Sequence, residues 1–145
     1  MSSALPQIAI VVPCYNEEAA LPESAGRLIG LLGELVAAGR AAPESSIHFV
    51  DDGSSDPTWS LIEKLAARHP QCHGIKLSRN HGHQHALLAG LLTAPGDALI
   101  SIDADLQDDP AALPVGGSEI LTELLDGGRT WGTWQARQDA ASVVV

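Results

Sequence analysis

Short, uninterrupted apolar runs alternate along this chain with longer stretches in which apolar residues return every three or four positions. Ile8-Ala9-Ile10-Val11-Val12 is the first run, closed by Pro13. Ile47-His48-Phe49-Val50 is the second, Gly74-Ile75-Lys76-Leu77 a shorter third, and Ala98 to Ile102 the fourth. Runs of this kind suit strands buried on both faces, as in parallel sheets. Between the first two, Leu21, Ala25, Leu28, Leu32 and Leu35 fall at helical spacing, with Pro22 in the first turns and Gly39 as a stop. Asn16 can cap this helix, and Glu17 and Glu18 suit the positive end of its dipole. Asp56 before Pro57 reads as the N-cap and first-turn proline of a second helix, whose apolar face is Trp59, Ile62, Leu65 and Ala66. A polar loop, Ser78 to His85, leads into a third, Ala/Leu-rich helix from Ala86 to Thr93. The alternation βαβαβαβ predicts an α/β fold: a mostly parallel sheet, helices on both faces, right-handed crossovers.

The length of 145 residues suits one domain, and 45% hydrophobic residues make a globular composition. The net charge of −10 argues against nucleic acid as the main partner. Cys14 and Cys72 lack metal-ligand spacing; Cys14 ends an apolar strand and reads as a buried thiol, which makes a reducing, cytoplasmic setting the default. No basic-then-apolar leader opens the sequence, and no apolar stretch is long enough to span a bilayer.

The candidate chemistry follows the strands. Four polar clusters, Pro13 to Glu18, Asp51 to Asp56, Ser78 to His85 and Asp103 to Asp109, each stand just after an apolar run. In an open parallel sheet, ligands bind outside the carboxyl ends of the strands, so these four loops should converge on one edge. Asp51 can accept hydrogen bonds from base N–H groups or ribose hydroxyls, and Arg79 can meet phosphate or base oxygens. Asp103 and Asp105, two apart in extended backbone, point the same way and repel unless a cation lies between them. A hard divalent ion shared with substrate phosphates is the natural candidate, and Gln107 adds a neutral oxygen. The bland alternative for a bare Asp-x-Asp is a solvated acidic turn. A dinucleotide oxidoreductase is a poorer fit, because no Gly-x-Gly-x-x-Gly turn follows the first strand.

Four motifs then occur in order: Pro13-x-Tyr15-Asn16-Glu17, Asp51-Asp52-Gly53-Ser54-x-Asp56, Arg79-Asn80-x-Gly82-x-Gln84-x-Ala86 and Asp103-Ala104-Asp105-Leu106-Gln107-Asp108. Together they resemble the nucleotide-sugar half of a family 2 glycosyltransferase with the Rossmann-like GT-A fold. The Gly82-His83-Gln84 and Asp103 to Gln107 wording is similar to the polyprenyl-phosphate branch, over roughly residues 7–114. The resemblance implies that Pro13, Tyr15 and Glu17 line the base pocket. It implies that Asp51 faces the base, that Asp52 supports the loop and ribose side, and that Arg79 lies near base and phosphates. Asp103 would be near ribose, and Asp105 with Gln107 would hold Mg²⁺ or Mn²⁺ on the diphosphate, Asp103 and Asp105 forming the catalytic pair. The implied reaction moves a sugar, from a UDP-sugar in preference to GDP-mannose, to a polyprenyl phosphate, in cell-wall or glycolipid biosynthesis at the cytoplasmic membrane face. The implied division is a donor-binding core at 1–114, followed by 115–145.

That last segment departs from the branch. Ser118 to Leu125 makes an amphipathic helix stopped by Gly127 and Gly128, and Trp131 to Arg137 only loosely echoes the family's next strand. Asp109 and Ala111 stand where the branch tends to have Pro and Glu. The pattern reads as a truncated or diverged member that binds donor and transfers poorly alone, with an exposed sheet edge that favours self-association. The second function class is accordingly a nucleotide-diphosphate-binding remnant without transfer activity. His81, His83 and His85 could bind Zn²⁺ if extended, but at a loop-to-helix junction they would diverge.

Overall fold

The computed structural model describes residues 5–102, 104, 133–136 and 141–144. The elements run β1 Ile8–Cys14, α1 Leu21–Ala37, β2 Ser46–Asp51, α2 Thr58–Arg68, β3 Cys72–Lys76, α3 His83–Thr93, β4 Ala98–Ser101, β5 Thr133–Ala136 and β6 Ala141–Val144. Among the described residues these strands form one six-stranded sheet in the order β3-β2-β1-β4-β6-β5. Only the β5–β6 pairing is antiparallel.

β1 shows why its residues were drawn into a central strand. All seven of its positions are buried, and they alternate between two cores. Ile8, Ile10, Val12 and Cys14 pack with Leu21, Leu28, Phe49 and Ile62, against α1 and α2. Ala9 and Val11 pack with Val50, Ala86 and Leu87, against α3. A strand covered on both sides has no place for a polar alternation, hence the unbroken apolar run. α3 packs tightly on the sheet at Gly90, where a Cβ would run into the Val11 and Val50 side chains.

The helices begin and end near where the pattern put them, with differences of physical interest. α1 has Pro22 in its first turn and stops at Gly39 (φ 72°), whose N–H bonds to Val36 O at 3.1 Å, while the Arg40 N–H reaches Leu35 O at 2.8 Å. Asn16 does not cap α1; four residues separate it from Leu21, and its side chain turns to another loop. α3 begins at His83, not Ala86, so His83 and His85 are helical; the expected divergence of the three histidines does not hold for His81 and His85, whose rings lie 6.2 Å apart across the first turn, tilted by 44°. No group of three metal-ligating side chains lies close together among the described residues. Both cysteines are buried free thiols. Among the described residues no helix is long and apolar enough to cross a membrane.

The chain reverses direction across the sheet at β1: β2 and β3 lie to one side of it and β4 to the other. Ligand crevices in such sheets open at the carboxyl ends of the strands flanking this reversal. Pro13 sharpens it. The Ile102 N–H bonds to Val11 O at 3.0 Å, and the next donor on that side of β1 would be residue 13, a proline with no N–H. Pairing with β4 therefore stops at Val11, while pairing with β2 continues to Cys14 and Asp51.

Candidate functional site

Three of the four predicted loops are described, and they are lashed together at the carboxyl ends of β1, β2 and β3. Asn16 is the knot of the first two. It adopts a left-handed conformation (φ 52°), which Asn tolerates better than most residues. From there its N–H donates to Ser54 Oγ at 2.9 Å, and its Oδ1 accepts from the Ser55 N–H (2.9 Å), the Ser55 hydroxyl (3.2 Å) and the Asp56 N–H (3.4 Å). The Glu17 N–H donates to Thr58 Oγ1 at 2.9 Å, and the Glu18 N–H to Asp56 Oδ2 at 3.2 Å. Asp56 also takes the Thr58 N–H and hydroxyl, so it caps α2 from two residues ahead of Thr58, the first helical residue. Burial alone would raise the Asp56 pKa, but the bonds from Thr58 and the Glu18 N–H outweigh it and hold the carboxyl below its ordinary 3.8.

The neighbouring aspartates do different work. Asp52 is buried, and both its oxygens are occupied: Oδ1 by the His81 N–H at 2.8 Å, Oδ2 by the Gly82 N–H at 3.0 Å. It thus ties the β3–α3 loop, which carries Arg79, to the end of β2. Gly53 completes this clamp. Its φ of 67° suits glycine, and any Cβ there would overlap the Arg79–Asn80 backbone. Asp51 is only 1% exposed, yet among the described residues its carboxylate receives a single hydrogen bond, from the Ser54 N–H at 3.2 Å. A buried carboxylate normally gathers more partners than this.

Of the residues the sequence singled out, Pro13 is buried at the end of β1, Tyr15 stands 47% exposed on the following loop, and Arg79 is exposed on the clamped loop. Glu17 and Asp51 lie close enough to Cys14 to act on it: burial first, then these two carboxylates, push the Cys14 thiol far above its usual range. The thiol is thereby held protonated and unreactive. Asp103, Asp105, Gln107 and Asp108 lie outside the described residues, as do Trp131 and the expected helix at Ser118 to Leu125. Ala104 is described: it is buried, and its carbonyl accepts a hydrogen bond from the Ser24 hydroxyl on α1. The sequence pattern gave Asn16 the wrong task, named Ser54 only as part of a motif, and passed over Ser24. The one available signal was Asn16 itself, an αL-tolerant residue five positions ahead of an apolar helix face.

The family model for Glycosyl transferase family 2 matches residues 9–139. A Bacillus subtilis (strain 168) protein named uncharacterized glycosyltransferase YkoT is 48% identical over 111 residues, covering 75% of this chain and 33% of the relative. An undecaprenyl-phosphate 4-deoxy-4-formamido-L-arabinose transferase of Shewanella sediminis is 38% identical over 137 residues, covering 92% of this chain and 38% of its own length. The chain thus spans little more than a third of the curated relatives it matches. Among solved structures, the mannosyltransferase PcManGT from Pyrobaculum calidifontis, in complex with GDP-Man and Mn²⁺, superposes with a TM-score of 0.60 at 25% identity, over 71% of this chain and 28% of that one. TarS of S. aureus (residues 1–349), in complex with UDP, gives a TM-score of 0.55 at 25% identity over 74% of this chain and 32% of that one.

Proposed function

The chain belongs to glycosyl transferase family 2 and has the GT-A fold, and from that premise we propose that it forms the donor-binding part of a metal-dependent enzyme that transfers a sugar from a nucleoside diphosphate to a polyprenyl phosphate. The observation that carries this reading is Asp51: a buried, sparsely bonded carboxylate at the end of β2, beside loops braced by Asn16, Asp52 and Gly53. Such a group gains a hydrogen bond when a base N–H or a ribose hydroxyl arrives, with no loop reorganisation to oppose it. Arg79, on the clamped loop, supplies a cation for the phosphates. Tyr15, on the loop after β1, presents an exposed ring suited to stacking on a base.

Asp105 with Gln107, and Asp103 toward the ribose, are the groups we assign to Mg²⁺ or Mn²⁺ and its nucleotide. Carboxylate and amide oxygens fit such hard cations, and the strand leading to them ends at the crevice beside Val11. When bound, the ion supplies Lewis-acid stabilisation of the departing diphosphate. The acceptor assignment is supported by relatives named undecaprenyl-phosphate transferases. A lipid phosphate is already anionic and needs no general base to become a nucleophile. UDP is our preferred nucleotide.

Product formation tests this. The protein, incubated with radiolabelled UDP-sugar, Mn²⁺ and a polyprenyl phosphate in detergent, should yield a labelled lipid. Asp51→Ala should reduce the yield at subsaturating donor. Lipid labelling that is unaffected by Asp51→Ala, or no labelling with either UDP- or GDP-sugars, would contradict the proposal.

A further inference from the structure

His81, His83 and His85 crowd the junction between β3 and α3, and nucleotide binding leaves them without a task. All three are exposed. His81 and His85 meet: their rings lie 6.2 Å apart, centre to centre, tilted by 44°. His83 stands two residues from each, and residues two apart on a helix do not face each other.

The backbone beneath the pair is fixed at both ends. The His81 and Gly82 N–H groups are bound to the two oxygens of buried Asp52, at 2.8 and 3.0 Å. His85 adjoins Ala86, which is wholly buried in the core between α3 and the sheet. Gly82, at φ 99°, makes the corner between them, a conformation suited to glycine. Histidines four apart are a known spacing for holding Zn²⁺ on one side of a helical segment. With metal–nitrogen bonds of about 2.0–2.1 Å, two imidazoles sharing one ion have ring centres roughly 5–6 Å apart. A small side-chain rotation brings 6.2 Å into that range. Among the described residues no third His, Cys, Asp or Glu joins them, so these two nitrogens leave the remaining coordination positions to water. His48 and His73 make a poorer chelate. Their rings stack at 5.0 Å and 20°, which sets the nitrogens side by side, and the His48 Nε2 already meets Ser46 Oγ at 2.7 Å in a buried place.

We propose that His81 and His85 form a two-imidazole site for a transition-metal ion of the Zn²⁺, Ni²⁺ and Cu²⁺ class at the start of α3. Imidazole nitrogen suits these ions, whereas Mg²⁺ and Mn²⁺ favour oxygen. A bound ion bridges the loop that carries Arg79 to the first turn of α3, reinforcing the tie that Asp52 makes through the backbone. Because the pairing exists only in the folded junction, the ion stabilises the native chain.

Calorimetric titration of Ni²⁺ into the untagged protein, with excess Mg²⁺ present to occupy oxygen-ligand sites, tests this on the wild type, His81→Gln, His85→Gln, His83→Gln and His73→Gln, with a thermal melt of each with and without Ni²⁺. The wild type should bind one equivalent and melt higher in its presence. His81→Gln and His85→Gln should each weaken binding roughly 100-fold, since a two-point attachment becomes a single one, and lose the thermal shift. His83→Gln and His73→Gln should keep both. Pulsed EPR of bound Cu²⁺ should count two imidazole nitrogens in the wild type and one in His81→Gln or His85→Gln. No Ni²⁺ binding by the wild type, or binding undiminished in His81→Gln and His85→Gln, would overturn the proposal. So would binding that His83→Gln or His73→Gln abolishes, which would place the chelate on other histidines.

Discussion

Asp51 and Asp52 have the same side chain, adjacent positions and similar burial, yet they should respond differently to removal. Asp51→Ala deletes a carboxylate with one weak internal bond, so its fold cost is small and its ligand cost large. A hydrogen bond to a charged group is worth about 1.5–3 kcal/mol, so UDP affinity should fall roughly 10- to 100-fold while Mn²⁺ binding stays intact. Titrating each ligand separately checks this. Asp52→Ala frees two backbone N–H groups, at His81 and Gly82, and should lower the melting temperature as well as nucleotide affinity. Gly53→Ala should act like Asp52→Ala, since both release the Arg79 loop. The candidate carboxylates were legible in the sequence because Asp51-Asp52-Gly53 stands directly after an apolar run. Their division of labour was not, because it depends on which oxygens meet N–H groups some thirty residues away. Asn16 and Ser24 were hidden for the same reason: their partners lie 38–40 and 80 residues along the chain.

The elements themselves were readable wherever burial on both sides imposes an unbroken apolar run, as in β1, or where one face alone is buried, as in α1. Their edges were less so. β3 was expected at Gly74 to Leu77 and runs Cys72–Lys76, because among the described residues this strand pairs with β2 alone and its side chains are mostly exposed, which leaves a faint pattern. Two predictions belong here. Gly90→Ala would press a methyl group into Val11 and Val50 and lift α3 from the sheet; overpacking of this kind costs about 1–3 kcal/mol, read in a urea melt. The second concerns the β2–β3 pair, where His48 is buried at 6% exposure, its Nε2 2.7 Å from Ser46 Oγ and its ring stacked on His73 at 5.0 Å. Burial, then the His73 ring, lower its pKa from 6.5 to about 4. The unfolded chain therefore takes up a proton near pH 6.5 that the native state refuses until about pH 4. This contribution to stability is whole above the unfolded value and is lost as pH falls through that window, by up to about 3 kcal/mol. Asp56, held below 3.8, loses its contribution only in more acidic solution. His48→Gln should flatten the melting profile between pH 7 and 5; an unchanged slope would contradict the assignment.

At the scale of the molecule, the sheet order explains why chemistry scattered from residue 13 to residue 105 should act together. Reversal at β1 brings the loops after β1, β2 and β3 to the same edge as the end of β4, and Pro13 ends the β1–β4 pairing there. The alternation of elements foretold this parallel arrangement. It could not foretell that the segments 133–136 and 141–144, which carried little pattern, would add two strands beyond β4, one of them antiparallel. Their pairing comes from backbone register, which leaves no periodic mark in four-residue stretches. The central claim is that this edge binds a nucleoside diphosphate through a divalent cation, and calorimetric titration of UDP into the wild-type chain, with Mn²⁺ and with EDTA, tests it most directly. The account predicts saturable one-to-one binding in Mn²⁺ that weakens at least tenfold in EDTA; equal affinity in the two buffers, or no binding in either, would contradict it.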